Sequence, residues 1–205
     1  MKDGVIKYHV EHTSSSAHEF SGYETLEALR NRLFALGLIG EKDGIGYGNL
    51  SKRLGQSHTF FITATQTGKQ THLAKDQYTY IDDYDFESFT VFSKGNHKPS
   101  SEALSHAMIY EVNQDINVVI HIHSHALWLF MQEHHYLSTQ AEYGTAQMVN
   151  EIEILYNNIN PFTNNAFVMK GHEDGIITFG RNLEEAERTL YNIIQALLEP
   201  QQRKR

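Results

Sequence analysis

Two histidines, His121 and His123, stand two positions apart at the end of the β-branched run Val118-Val119-Ile120. A strand turns alternate side chains to opposite faces, so this spacing puts both imidazoles on the same face. Burying two titratable rings on an apolar strand costs desolvation, and a divalent metal offsets that cost. A lone histidine here would read as an interior residue bonded to its neighbours; the spaced pair reads as the start of a metal site. A catalytic metal needs a third protein ligand and an open position. His172, in a tight turn between Gly171 and Gly175, is the foremost candidate. His134 and His135 are weaker ones, and His125 continues the alternation and replaces one of the pair if the strand runs on. The chain has no cysteine, so any metal is held by His, Asp or Glu.

Upstream, Pro99 cannot extend a helix backwards, and Ser100 or Ser101 is expected to cap one that begins near Glu102. Taken singly, Glu102 is a solvated carboxylate favoured by the helix dipole, and the two serines are caps. Taken with the histidines, Glu102 is a base beside a metal. Hydroxyls beside the free N–H groups of a helix N-terminus also suit a phosphate. Asn49 and the Thr67-Gly68 pair add donors from two further turns.

The elements that must position these residues follow from periodicity. Apolar residues Leu26, Leu29, Leu33, Phe34 and Leu36 recur at helical spacing across Glu24 to Leu38, and Gly37 and Gly40 end that helix. A glycine-rich turn at Ile45–Gly48 leads into a strand. Thr59–Thr63, Tyr78–Ile81 and Ser88–Phe92 read as strands, the last two separated by an acidic loop. Ala126–Met131 begins a helix, another runs through Ile152 and Leu155, and Ala166–Met169 with Ile176–Phe179 form a strand pair around His172. Leu183–Leu198 is an amphipathic helix capped by Asn182. Residues 1–22 form a polar segment with a turn at Thr13–Ser16, and residues 199–205 a flexible tail. The pattern, over 1–205, is one α/β domain with a mixed or antiparallel sheet covered by helices.

Composition narrows the function. A chain of 205 residues, 40% hydrophobic and 20% charged, suits one soluble globular domain. A net charge of −8, with basic residues clustered only at the terminal Gln-Gln-Arg-Lys-Arg, argues against nucleic-acid binding. No apolar run approaches membrane-spanning length and the N-terminus lacks a signal-peptide core, so a cytoplasmic protein is expected.

In order and spacing, Gly48-Asn49-Leu50-Ser51, Pro99-Ser100-Ser101-Glu102, His121-Ile122-His123-Ser124 and Gly171-His172 resemble the class II aldolase/adducin family, over about residues 24–198. The resemblance implies a three-layer α/β/α sandwich with a mixed, mainly antiparallel sheet, assembled as a homotetramer. It implies zinc, or another divalent transition metal, on His121, His123 and His172. Glu102 would be the base, and Asn49, Thr67, Gly68, Ser100 and Ser101 would hold the phosphate of a small sugar phosphate. The implied reaction is retro-aldol cleavage of a phosphorylated ketose, with zinc as Lewis acid on the carbonyl oxygen. A tyrosine often serves the aldehyde oxygen in such aldolases, and Tyr143 and Tyr136 both lie in the right region. Dehydratases of the methylthioribulose-1-phosphate type and 4-epimerases share the motifs, although the epimerases resemble this one with Asp at the Glu102 position. Adducin-like heads, which are scaffolds, tend to lose the histidines that this chain keeps. The turn Thr63–Gly68 is longer than the family pattern, Gly-His-Glu-Asp-Gly replaces Asn-His-Gly, and the stretch from His123 to Tyr143 is short.

Overall fold

A computed structural model describes residues 5–16 and 18–199, so all but the first residue of the expected tail lies outside the described residues. In chain order the elements are β1 (His9–Ser14), α1 (Tyr23–Ala35), β2 (Gly40–Lys42), β3 (Ile45–Tyr47), β4 (Asn49–Arg53), β5 (Phe60–Thr63), β6 (Tyr78–Asp85), β7 (Thr90–Gly95), α2 (Ala103–Val112), β8 (Val118–His123), α3 (His125–Glu133), β9 (Ser138–Thr139), α4 (Ala146–Tyr156), β10 (Ala166–Met169), β11 (Gly175–Gly180) and α5 (Leu183–Leu198). Nine strands form one sheet in the order β1-β7-β6-β5-β4-β8-β11-β10-β9, and β2 and β3 form a separate hairpin. Only the outermost pairs, β1 with β7 and β9 with β10, are parallel.

Each face of the sheet has its own core. Val118, Ile120 and Ile122 of β8 pack with α1, α3 and α5, whereas Val119 packs with α2 and α4. The same alternation sends Phe61 one way and Phe60 and Ile62 the other on β5. The result is helices, sheet, helices. At about 2 kcal/mol for each fully buried aliphatic side chain, β8 is anchored by its apolar residues on both faces. His121 and His123 share the face of Val119 by the period of two, and so look toward α2.

Four details differ from the sequence reading. Residues 9–14, expected within a polar segment with a turn at Thr13–Ser16, form an edge strand paired along its whole length with β7. Residues 40–47 fold into the β2–β3 hairpin, closed by Asp43 and Gly44 at φ 55° and 80°. β6 continues through the acidic stretch to Asp85, because its backbone stays paired with β7 there, Asp83 opposite Phe92 and Asp85 opposite Thr90. On α1 the buried stripe is Leu26, Glu27, Leu29, Arg30 and Leu33, while Phe34 is half-buried and Leu36 is exposed. Arg30 is inside because its guanidinium donates to the carbonyls of Thr67 at 3.0 Å, Gln70 at 2.6 Å and Thr71 at 3.2 Å, with Glu27 alongside at 3.9 Å. That fastens the hydroxyl turn to the first helix.

Candidate active site

β8 is central, hydrogen-bonded to β4 on one side and β11 on the other, with His121 opposite Asn49 and Ile177. His172 approaches from the β10–β11 turn, where its N–H donates to the Met169 carbonyl at 3.1 Å. One ring nitrogen from each of His121, His123 and His172 falls within 4.8 Å of the others. The Nε2 atoms of His123 and His172 are 3.0 Å apart, and His121 Nε2 is buried with no hydrogen-bond partner among the described residues. Tetrahedral zinc with bonds of about 2.0–2.1 Å needs ligand nitrogens about 3.3 Å apart, so the cluster fits a divalent metal in spacing and donor type. Burial first, then the neighbouring His121 and His172 rings, keeps His123 well below the ordinary imidazole range, in the neutral form a metal requires. His125, by contrast, pairs with Asp174 at 2.8 Å outside this cluster, and His134 lies tilted against Phe130 with ring centroids 4.3 Å apart.

The turn carrying His172 tolerates no side chain at Gly171. A Cβ there would lie 2.2 Å from the Gln140 carbonyl oxygen and 2.3 Å from that of Ala141. Gly171→Ala is therefore expected to displace the third imidazole, weakening zinc affinity at least about tenfold and stability by about 1–3 kcal/mol. Zinc titration against a competing chelator, with urea unfolding of both proteins, checks this; wild-type affinity in the variant would refute it.

Glu102 occupies the N-cap position of α2 but makes no side-chain cap there. Its carboxylate turns sideways instead. Oε2 accepts from Asn49 Nδ2 at 2.7 Å and pairs with His121 Nδ1, while Oε1 is buried without a partner among the described residues. Burial alone would raise the carboxyl; His121 above all, then His172 and the Asn49 amide, hold it well below the usual carboxylate range. With its Nδ1 hydrogen given to Glu102, His121 presents the bare Nε2 to the centre of the cluster. The expected serine caps are absent: Ser100 Oγ only reaches the Glu102 N–H at 3.4 Å.

The turns Ala64–Gly68 and Pro99–Ser101 lie side by side, joined by an Ala64–Pro99 bridge and by the Thr65 N–H bond to the Lys98 carbonyl at 3.0 Å. Asn49, Thr67, Gly68, Ser100 and Ser101 all line one pocket with Glu102 and the three histidines. Two of their donors are engaged within the protein, Asn49 with Glu102 and the Thr67 hydroxyl with the Ala64 carbonyl at 2.8 Å. Gly68 is pressed against the hairpin, where a Cβ would come 2.3 Å from the Gly40 carbonyl oxygen.

An outer cleft opens beside this pocket, lined by Lys42, Tyr47, Gln140, Tyr143, His172 and Glu173 among others. The Tyr143 ring is 4.8 Å from that of His172, with the Lys7 ammonium 3.6 Å above it and the Val5 N–H donating to its hydroxyl at 3.2 Å. Tyr136 packs near Phe130 on the opposite face of the sheet. Tyr47, which the sequence reading passed over, leans on His123 at 5.1 Å and donates to the Gly37 carbonyl at 3.2 Å. Its one sequence signal was the Asp43-Gly44 hairpin turn just upstream.

Solved structures share this architecture. An L-fuculose 1-phosphate aldolase superposes with a TM-score of 0.64 at 19% identity, covering 89% of this chain and 86% of that one. A sugar-phosphate aldolase from Thermotoga maritima gives 0.64 at 17% identity, covering 84% and 90%. An L-fuculose-1-phosphate aldolase from Thermus thermophilus gives 0.57 at 19%, covering 85% and 88%. No curated protein matches the chain. No helix among the described residues is long and apolar enough to cross a membrane. The family model described as Class II Aldolase and Adducin N-terminal domain matches residues 32–198, most of the sequence, and the chain belongs to that family.

Proposed function

We propose that this protein is a zinc-dependent aldolase that cleaves a small phosphorylated ketose into a hydroxyketone phosphate and an aldehyde. The observation that carries the reading is the buried Glu102 carboxylate, set against His121 of a three-imidazole cluster. Class II aldolases generally depend on a divalent metal, and His121, His123 and His172 would hold it. A carboxylate held this low is a weak base, so the carbon acid it faces must be activated. A bound metal supplies that activation by polarising the carbonyl oxygen.

The protein's own groups do the rest. The phosphate would enter between the Ala64–Gly68 and Pro99–Ser101 turns, at the N-terminal end of α2, where N–H groups and the helix dipole favour an anion. In the condensation direction, the free Oε1 of Glu102 takes the proton from the carbon beside the carbonyl. That carbon then forms the new bond to the aldehyde carbon. The Tyr143 hydroxyl gives its proton to the aldehyde oxygen, and cleavage is the reverse.

The two half-reactions can be tested apart. The zinc-loaded protein is expected to exchange a methylene proton of dihydroxyacetone phosphate for deuterium in D2O, followed by proton NMR. Tyr143→Phe should retain that exchange while losing about 10²-fold or more in cleavage of ketose phosphates. Absence of exchange and of aldehyde release across a panel of phosphorylated and unphosphorylated ketoses would overturn the aldolase reading. Loss of water from the substrate would point instead to a dehydratase.

A further inference from the structure

β4 and α2 meet through polar side chains where apolar ones would be ordinary. The period of two sets Asn49, Ser51 and Arg53 on one face of β4, and the i, i+4 spacing sets Glu102, His106 and Tyr110 on one stripe of α2. All six are buried, and they pair in order along the two elements. Asn49 Nδ2 donates to Glu102 at 2.7 Å. Ser51 Oγ lies 2.7 Å from His106 Nδ1 and 2.6 Å from the Tyr110 hydroxyl. Arg53 donates to the Tyr110 carbonyl, its guanidinium 4.7 Å over the Tyr110 ring.

Burial fixes the protonation of this ladder's two rings. Tyr110 is pushed above its ordinary range and stays a donor, while burial pulls His106 down to about 3, leaving it neutral. The Ser51 hydroxyl therefore bridges the Tyr110 hydroxyl and a neutral His106 ring through two short contacts. Directional bonds of this kind specify geometry more than they add stability. Helix rotation is the geometry at stake. With side chains reaching about 5–6 Å from the axis, a 10° rotation moves a tip by about 1 Å, and a 1 Å misplacement at a reacting group costs about 10²-fold.

We propose that Ser51, His106 and Tyr110 are positioning residues for Glu102. They lock the rotation of α2 against β4 so that the carboxylate meets His121 and Asn49 rather than capping its own helix. The proposal rests on the reading of Glu102 as the base, and one measurement separates the two. In zinc-loaded protein labelled with ¹⁵N-histidine, the Nδ1–H signal of His121 reports its bond to Glu102 without any substrate. Ser51→Ala removes both middle bonds and touches neither Glu102 nor the histidine ligands. It is expected to keep zinc stoichiometry and the His123 and His172 signals, to shift the His121 signal, and to slow deuterium exchange into dihydroxyacetone phosphate at least about tenfold at unchanged KM. Tyr110→Phe, which keeps the ring and loses one bond, should move both readouts the same way by less, and it serves alone if Ser51→Ala does not fold. An unmoved His121 signal overturns the proposal, as does a parallel loss of zinc and of all three histidine signals. A wild-type protein that shows the His121 signal but no exchange counts against Glu102 as the base, and the ladder is then judged on that signal alone.

Discussion

Glu102→Gln is expected to bind zinc at the wild-type stoichiometry and to lose about 10²–10⁴-fold in deuterium exchange and cleavage. The glutamine side chain has the same shape, and its carbonyl oxygen can occupy the place of Oε2, accepting from Asn49 and from His121 Nδ1 as the carboxylate does. The amide nitrogen then falls at Oε1, the atom with no partner among the described residues. An amide cannot take a proton there. Because Glu102 does not cap its helix, the variant loses no cap, and its unfolding midpoint should stay close to wild type. Elemental analysis paired with the exchange assay decides the matter. Near-wild-type turnover would remove Glu102 from the chemistry, whereas loss of zinc would make it a metal-supporting residue instead.

The largest effect is expected from His121→Ala combined with His123→Ala. Wild-type protein should carry about one zinc per chain and the double variant little, because His172 alone is a single ligand where a catalytic site uses three. Chelation should lower the Tm of the wild type and leave that of the variant unmoved. A ligand at a hundred times its Kd stabilises the native state by about 2.7 kcal/mol, so the difference is readily seen in a melting curve. If the wild type holds little metal even after zinc is offered, the aldolase reading falls, and a scaffold of the adducin-head kind becomes the better account.

Much of this is legible in the amino-acid sequence. The run Val118-Val119-Ile120 and the two-residue spacing of His121 and His123 required one strand with both rings on one face, and β8 has that form, its odd-numbered side chains on the α2 side. Asn182 as the cap of Leu183–Leu198 could be read from local chemistry, and its side chain accepts from the Glu185 N–H at 2.9 Å. What escaped the sequence was set by tertiary pairing. β1 has no alternation strong enough to outweigh its polar residues and exists because β7 offers a parallel edge. Glu102 looked like a first-turn carboxylate with serine caps before it. Nothing local could show that Asn49 and His121, from two neighbouring strands, would draw its side chain off the helix axis. Arg30 and Glu27 broke the apolar stripe of α1 for the same reason, since their partners lie at residues 67–78.

The three imidazoles stand on unequal ground. His121 and His123 belong to a strand bonded on both sides in the middle of the sheet, but His172 sits in the turn between β10 and β11, outside the strand ladder. Local opening draws on the least stable segments first, well before a central strand parts. On the proposed reading of these three histidines as ligands, the residence time of a bound ion is expected to follow opening of the β10–β11 turn, with His172 engaging last and releasing first. The same asymmetry bears on biosynthesis. His123 and His172 are 49 residues apart in the chain, so on that reading a nascent polypeptide presents two of the proposed ligands well before the third, and metal capture is expected late in maturation.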